Sequence, residues 1–184
     1  MSAQPYHHGD LRNALLAAAA AAIEQNGPAA LSLRELARRA GVSHAAPAHH
    51  FGDKAGLLTA LAAQGYELLA DAVRAAGPDL AGAGIAYVRF AVGHRAHFTV
   101  MFEPGLYHPD DPHLSAARAR ADEALAAALA ASAPQHARER ELKLAAWSIV
   151  HGFAQLWNSG SLPDRAGEDP ATIARAVIGN LLRA

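Results

Sequence analysis

Apolar residues recur at helical spacing along almost the whole chain, and no segment alternates with period two for long enough to form a strand. The pattern predicts an all-α protein. A first helix is expected from near Asp10, a good N-cap, to about Gln25, where Gly27-Pro28 ends it. Leu11, Leu15, Leu16, Ala18, Ala19, Ala22 and Ile23 give it a broad apolar stripe, so the alanine run 17–22 reads as helix rather than linker.

Two short helices hinged at a glycine follow, over residues 32–51. Ser32 and Glu35 match the S-x-x-E capping box, and Leu33, Leu36, Ala37 and Ala40 share one face. Gly41 is placed to stop this helix in the left-handed conformation, Val42 to pack under the turn, and Ser43 to cap a second helix. A turn this short leaves the helices strongly crossed, the geometry of a DNA-binding helix-turn-helix. Asp53 then caps a longer helix carrying Leu57, Leu58, Leu61, Leu68, Leu69 and Val73. Gly77-Pro78 is the clearest break. It divides the chain into a three-helix helix-turn-helix DNA-binding domain, residues 1–77 with the motif at 32–51, and a second helical domain, residues 78–184.

The second part reads as five helices: Asp79 to about Val92, His94 to about Phe102, Leu114 to Ala131, Ala137 to Asn158, and a last one capped by Asp169 with Pro170 at its first position. On the fourth of these, Leu142, Ile149, Phe153 and Leu156 form a row that Trp147, Val150, Ala154 and Trp157 widen. A helix apolar on most sides must be covered on most sides. A second copy of the chain supplies that cover if this helix and the last pair in a two-fold four-helix interface through Ile149, Phe153, Leu156, Ile173, Val177 and Leu181. A central position within one subunit is the alternative.

Composition narrows the class further. Of 184 residues, 52% are hydrophobic but only 6% aromatic, so alanine supplies much of the apolar content and closely packed helices are expected. The chain has no cysteine, which excludes disulfides and thiolate metal sites. It shows no signal peptide and no apolar run long enough to span a bilayer, so a cytoplasmic protein without membrane contact is expected. Net charge is −1. Any DNA contact must therefore rest on a few placed residues rather than on bulk charge.

Those residues are Arg34, Ser43, His44, Ala45, Ala46, His49 and Lys54. Ser43 and the first turn behind it face a phosphate, and the two alanines permit close approach to a base edge or a thymine methyl. His44 can hydrogen-bond base or phosphate. Arg34 and Lys54 sit in first turns, where a cation opposes the helix dipole, and a docked phosphate would account for both. Pro47, four residues past the expected cap, is predicted to tighten the helix start. His49 and His50 divide between the backbone and packing beside Phe51.

The sequence resembles the tetracycline-repressor (TetR) family of bacterial transcriptional regulators. The resemblance runs from YHHGDLRNALLAAA through LSLRELARRAGVSHAAPAHHFGDKAGLLTALA, roughly residues 6–63, and rests on A-G-V-S, H-F-G-D-K and the following Leu-Leu pair. It implies a homodimer on palindromic double-stranded operators, with a C-terminal domain whose small-molecule effector changes the spacing of the two reading heads. The family pattern places a phosphate-touching tyrosine at position 48, where this chain has Ala48. The stretch A-A-W-S-I-V-H-G-F is similar to a Trp-x-x-x-His-Gly pattern of one branch of the family.

Phe90, His94, Phe98, Met101, Phe102, Trp147 and His151 are the candidates for lining an effector pocket, with His94, Phe98 and Phe102 on one helix face at i, i+4 and i+8. No carboxylate stands at ligand spacing from His94, His97 or His151, so no metal or other cofactor is assigned. Nucleophile elbow, phosphate loop and His-Glu-x-x-His are all missing, which argues against an enzyme. The leading expectation is a DNA-binding repressor released by a small apolar or amphipathic effector. A helical ligand- or metal-binding module with weakened or lost DNA binding is the alternative, favoured by Ala48 and the near-neutral charge.

Overall fold

The computed structural model describes residues 8–132, 140–162 and 167–181; the side chains of residues 8–10 and 180–181 are not among those described. The described residues form the helices α1 (His8–Asn26), α2 (Leu33–Arg39), α3 (Ala46–Phe51), α4 (Lys54–Ala75), α5 (Leu80–Gly93), α6 (Arg95–Met101), α7 (Pro112–Ser132), α8 (Arg140–Ser159) and α9 (Pro170–Leu181), with a 3-10 turn at Pro104–Leu106. None of them is a strand, as the periodicity predicted.

Two compact units emerge: residues 1–64 with 96–114, and residues 65–95 with 115–184. The division falls inside α4, which runs unbroken to Ala75, and α6 belongs with the amino-terminal helices. In the first unit Leu15, Leu16, Ile23, Leu36, Leu57, Leu58 and Leu61 of α1, α2 and α4 are buried, together with Phe98, Val100 and Met101 of α6. Each fully buried leucine of this kind contributes roughly 1.5–3 kcal/mol. In the second unit α5 packs against both α8 and α9. Gly84 makes this approach possible, since a Cβ there would lie 2.7 Å from Ile178 Cδ1 and 3.2 Å from Val150 Cγ1.

Several helix starts differ from the sequence expectation. α1 already runs at His8, so Asp10 lies inside it rather than capping it. Ser32 is the N-cap of α2 in extended conformation but makes no side-chain capping bond, and the Glu35 carboxylate, the other half of the expected box, has turned to Arg38 and Arg39. Ser43 caps nothing. α3 begins three residues later, at Ala46, with Ala45 as N-cap. Pro47 explains the delay: at the second helical position its missing N–H costs no intrahelical bond, whereas further in it would. Asp53 and Asp169 cap their helices as the pattern predicts, and Asp79 does the same for α5. Asp53 Oδ1 accepts from Gly56 N at 2.7 Å, Asp79 Oδ2 from Gly82 N at 2.7 Å, and Asp169 Oδ2 from Thr172 N at 3.1 Å. The expected start of α8 at Ala137 lies outside the described residues.

The junction of α3 and α4 is a close backbone contact at a glycine. A Cβ on Gly56 would lie 2.0 Å from the carbonyl oxygen of Phe51. That neighbour is backbone and has nowhere to go. Gly56→Ala is therefore expected to destabilise the first unit by about 1–3 kcal/mol, read as a lowered unfolding temperature. An unchanged transition would show that the junction is not held this closely.

Candidate nucleic-acid interface and effector region

The turn between α2 and α3 is built by backbone hydrogen bonds. Gly41 takes φ +66°, Gly41 N donates to Arg38 O at 3.3 Å, and Val42 N donates to Ala37 O at 3.0 Å. This is the paired closure of a Schellman turn, and it satisfies carbonyls that the end of α2 would otherwise leave open. Leu36 and Ala37 of α2 and Pro47 of α3 are buried beneath it. With those anchors inward, Ser43, His44, Ala45, Ala48 and His49 are exposed and Ala46 is half-buried. The surface offered by the motif is small-residued, with two imidazoles. Where the family pattern has its tyrosine, the exposed position 48 carries only a methyl group.

Arg34 is exposed in the first turn of α2. Lys54 is half-buried at the start of α4, and its Nζ donates to the carbonyl oxygen of Ala29 at 2.8 Å. The lysine thus has a structural role that the sequence did not suggest: it ties α4 to the loop before α2. His50 and Phe51 have ring centroids 6.1 Å apart, and the Arg12 guanidinium lies 5.5 Å over the Phe51 ring. His50 therefore packs beside Phe51, while its neighbour His49 faces outward.

Glu35, Arg38 and Arg39 form an ion cluster on α2 that the sequence reading passed over in favour of a capping box. Arg38 Nε and Nη2 grip the two carboxylate oxygens at 2.8 and 2.6 Å, and Arg39 Nε donates to Oε1 at 2.9 Å. These bonds hold the Glu35 carboxyl down to about 2. The spacings i, i+3 and i, i+4 were the available signal.

Phe98, Met101 and Phe102 belong to the first unit, and Phe90, His94, Trp147 and His151 to the second. Phe90, Phe98 and Met101 are buried core. α5 ends at Gly93 and α6 starts at Arg95, so His94 is the C-cap between them and shares no helix face with Phe98 and Phe102. The expected i, i+4, i+8 row is broken by that cap. Phe98 and Phe102 do meet, edge to face at 5.1 Å. His97, weighed in the sequence only as a metal ligand, is buried with Nε2 3.0 Å from Gln64 Oε1. Among the described residues no three His, Cys, Asp or Glu side chains cluster as a metal site.

Trp147 and His151 do come together, around Tyr87 of α5. The phenol oxygen accepts from Trp147 Nε1 at 3.3 Å and lies 2.9 Å from His151 Nδ1. The indole can only donate. A phenol proton given to Nδ1 completes the chain in the tautomer whose imidazole proton is on Nε2. Burial pushes the Tyr87 phenol up and the His151 imidazole down, so both stay neutral. The four-residue spacing thus has a physical cause: two successive turns of α8 reach one buried hydroxyl on α5. Tyr87, fully buried, was the missing partner.

Along α8 and α9, Val88, Ile149, Val150, Phe153, Ala174, Val177 and Ile178 line an open apolar cleft, and none of the seven effector candidates lies in it. Phe153, expected at a subunit interface, is instead largely covered within the chain. Ile149, Ile173 and Val177 are half-buried and Leu156 is exposed; the side chain of Leu181 lies outside the described residues. Leu144, Trp147 and Leu156 stand 54%, 41% and 47% exposed, so α8 is not buried centrally in one subunit.

Comparison with known proteins matches residues 15–61 to the bacterial regulatory proteins of the tetR family and residues 80–181 to a tetracyclin repressor-like C-terminal domain. The chain belongs to the TetR family. It is a DNA-binding transcriptional regulator, with a helix-turn-helix head and a helical C-terminal domain. Among solved structures, this TetR-family chain is similar to a protein of unknown function from Rhodococcus sp. RHA1, at 32% identity and TM-score 0.79 over 98% of each chain. It is also similar to the TetR family transcriptional regulator PfmR from Thermus thermophilus, at 26% identity and TM-score 0.72 over 92% of this chain and 97% of that one. The multidrug binding protein EbrR, in complex with imidazole, matches at 25% identity and TM-score 0.59 over 92% and 93%. A search of curated proteins returned no match.

The burial of His151 predicts a pH dependence. His151 has a folded pKa below its ordinary 6.5. On acidification the unfolded chain takes up this proton first, so the group's share of stability is intact above pH 6.5 and is lost as pH falls below it. His151→Gln is expected to flatten the corresponding fall in unfolding temperature between about pH 7.5 and 5.5. An identical pH profile in the variant would refute the assignment.

Proposed function

We propose that the regulator is a homodimeric repressor that binds a palindromic double-stranded operator and leaves it when a small apolar or amphipathic effector binds. The observation that carries the DNA contacts is the surface left by the α2–α3 turn, where Ser43, His44, Ala45 and His49 stand outward while Leu36, Ala37 and Pro47 are buried. Arg34 and Lys54 flank this surface as phosphate contacts, and Ala46 lets the helix approach the base edges. In this reading residues 1–77 act as the DNA-binding domain and 78–184 as the effector and dimerisation domain, in keeping with family matches at 15–61 and 80–181. The C-terminal half is assigned to the branch with the Trp-x-x-x-His-Gly pattern. A small-molecule effector is supported by EbrR, a multidrug binding protein of similar fold. The regulator is placed in the cytoplasm, without enzymatic activity; among the described residues no helix is long and apolar enough to cross a membrane.

Promoter DNA from the protein's own genomic neighbourhood, titrated at two salt concentrations, tests the reading head. Lys54→Ala is expected to weaken binding uniformly across sequences and to reduce the salt slope by about 1, whereas His44→Ala should shift preference between sequences. If neither variant changes operator binding, the head has been misassigned. Complete failure to retain such DNA would favour the alternative of a ligand-binding module that has lost it, in line with Ala48.

Dimerisation through α8 and α9 is supported by the exposed Leu156 beside half-buried Ile149, Ile173 and Val177. Leu156→Asp would force a carboxylate into that interface and is expected to give monomers at micromolar concentration in sedimentation velocity, with the helical content unchanged. A variant that sediments as the wild type does would place the interface elsewhere.

A further inference from the structure

Arg38 and Arg34 lie one turn apart on the exposed side of α2, about 6 Å along its axis. Long guanidinium side chains at that separation suit neighbouring phosphates of one strand. Arg38 does not point idly into water, however. Its Nε and Nη2 hold both oxygens of Glu35, at 2.8 and 2.6 Å, in the two-pronged geometry that a guanidinium also offers to a phosphodiester. Arg39 shares the same carboxylate and donates in addition to Gln25 Oε1 at 3.2 Å.

We propose that Arg38 is a further phosphate-binding residue of the reading head, and that Glu35 is an internal phosphate mimic which occupies it until DNA displaces the carboxylate. This rests on the reading of α2–α3 as the DNA-binding surface. The side chains of Arg38 and Glu35 are 69% and 42% exposed, so the pair adds little to the fold and opens readily. A polyanion is a strong competitor at low salt, because each phosphate neutralised releases counterions, and a weaker one as salt rises. Residues 1–60 carry only five Lys or Arg against four Asp or Glu, so one carboxylate withdrawn from this surface is a large relative change. Glu35 stays ionised at neutral pH, so acidity in that range does not open the contact; only a competing anion does. The consequence is selectivity. Glu35 lowers affinity for arbitrary DNA, while an operator engaged through base contacts as well offsets the displacement.

The test uses the full-length protein and its Glu35→Gln, Arg38→Ala and double variants on a short mixed-sequence duplex without an operator, between about 50 and 200 mM salt. Helical content and unfolding temperature of each variant are checked first. Glu35→Gln is expected to bind about two- to fivefold more tightly. Arg38→Ala should weaken binding and reduce the salt slope by about 1. Adding Glu35→Gln to Arg38→Ala should then recover little of the loss. A gain from Glu35→Gln that persists in full without Arg38 would mean that the carboxylate acts only by long-range repulsion, and would overturn the proposal. So would an Arg38→Ala protein with wild-type affinity and slope. Sensitivity to Lys54→Ala combined with insensitivity to Arg38→Ala overturns this proposal alone. Absence of salt-dependent binding by the wild type overturns the DNA surface as well.

Discussion

The backbone contact between Gly56 and the carbonyl oxygen of Phe51 is a constraint on which the reading head depends. It brings the end of α3 against the first turn of α4 at a distance that no side chain allows. Asp53 closes the same corner by accepting from Gly56 N, and Lys54 fastens it to the Ala29 carbonyl. Three demands on the sequence, a cap, a cation and a glycine, therefore meet within four residues. The recognition helix is only six residues long. A helix that short has little stability of its own, so its position comes from this corner and from the closed turn at Gly41.

A second theme is that four of the five cations in residues 1–60 already have partners within the fold. Arg38 and Arg39 share Glu35, Lys54 holds a carbonyl, and Arg12 lies over the Phe51 ring. In a chain with net charge −1, the proposed DNA binding is accordingly an exchange of internal partners for phosphates rather than the filling of a bare positive patch.

In the second unit the organising polar feature is one buried hydroxyl. Tyr87 receives Trp147 and His151 from successive turns of α8 and so locks its register against α5, while Gly84 lets α8 and α9 approach closely. Apolar surface remains on α8 after this packing. The residues left out are not those of a single stripe: Leu144 and Trp147 lie towards its start and Leu156 towards its end. Amphipathicity thus showed that α8 needs more cover than one neighbour supplies, but not which side chains the chain covers for itself. Phe153 went to the subunit's own core.

Local chemistry was legible wherever one residue type has one physical use. Helical periodicity marked all-α structure, Asp53, Asp79 and Asp169 marked helix starts, and A-G-V-S with H-F-G-D-K marked the helix-turn-helix and its family. Where a side chain has competing partners, the sequence could not choose. Glu35 suits both a capping box and an ion pair, and two arginines one turn on compete better than the backbone N–H. Ser43 suits a cap, yet Pro47 moved the helix start past it. Lys54 looked unexplained because its acceptor is 25 residues away in sequence, and Tyr87 was unremarked because its partners lie 64 and 60 residues on. Spacing along one element determines what it can form; the choice among partners on different elements is made by packing, which only the folded chain supplies.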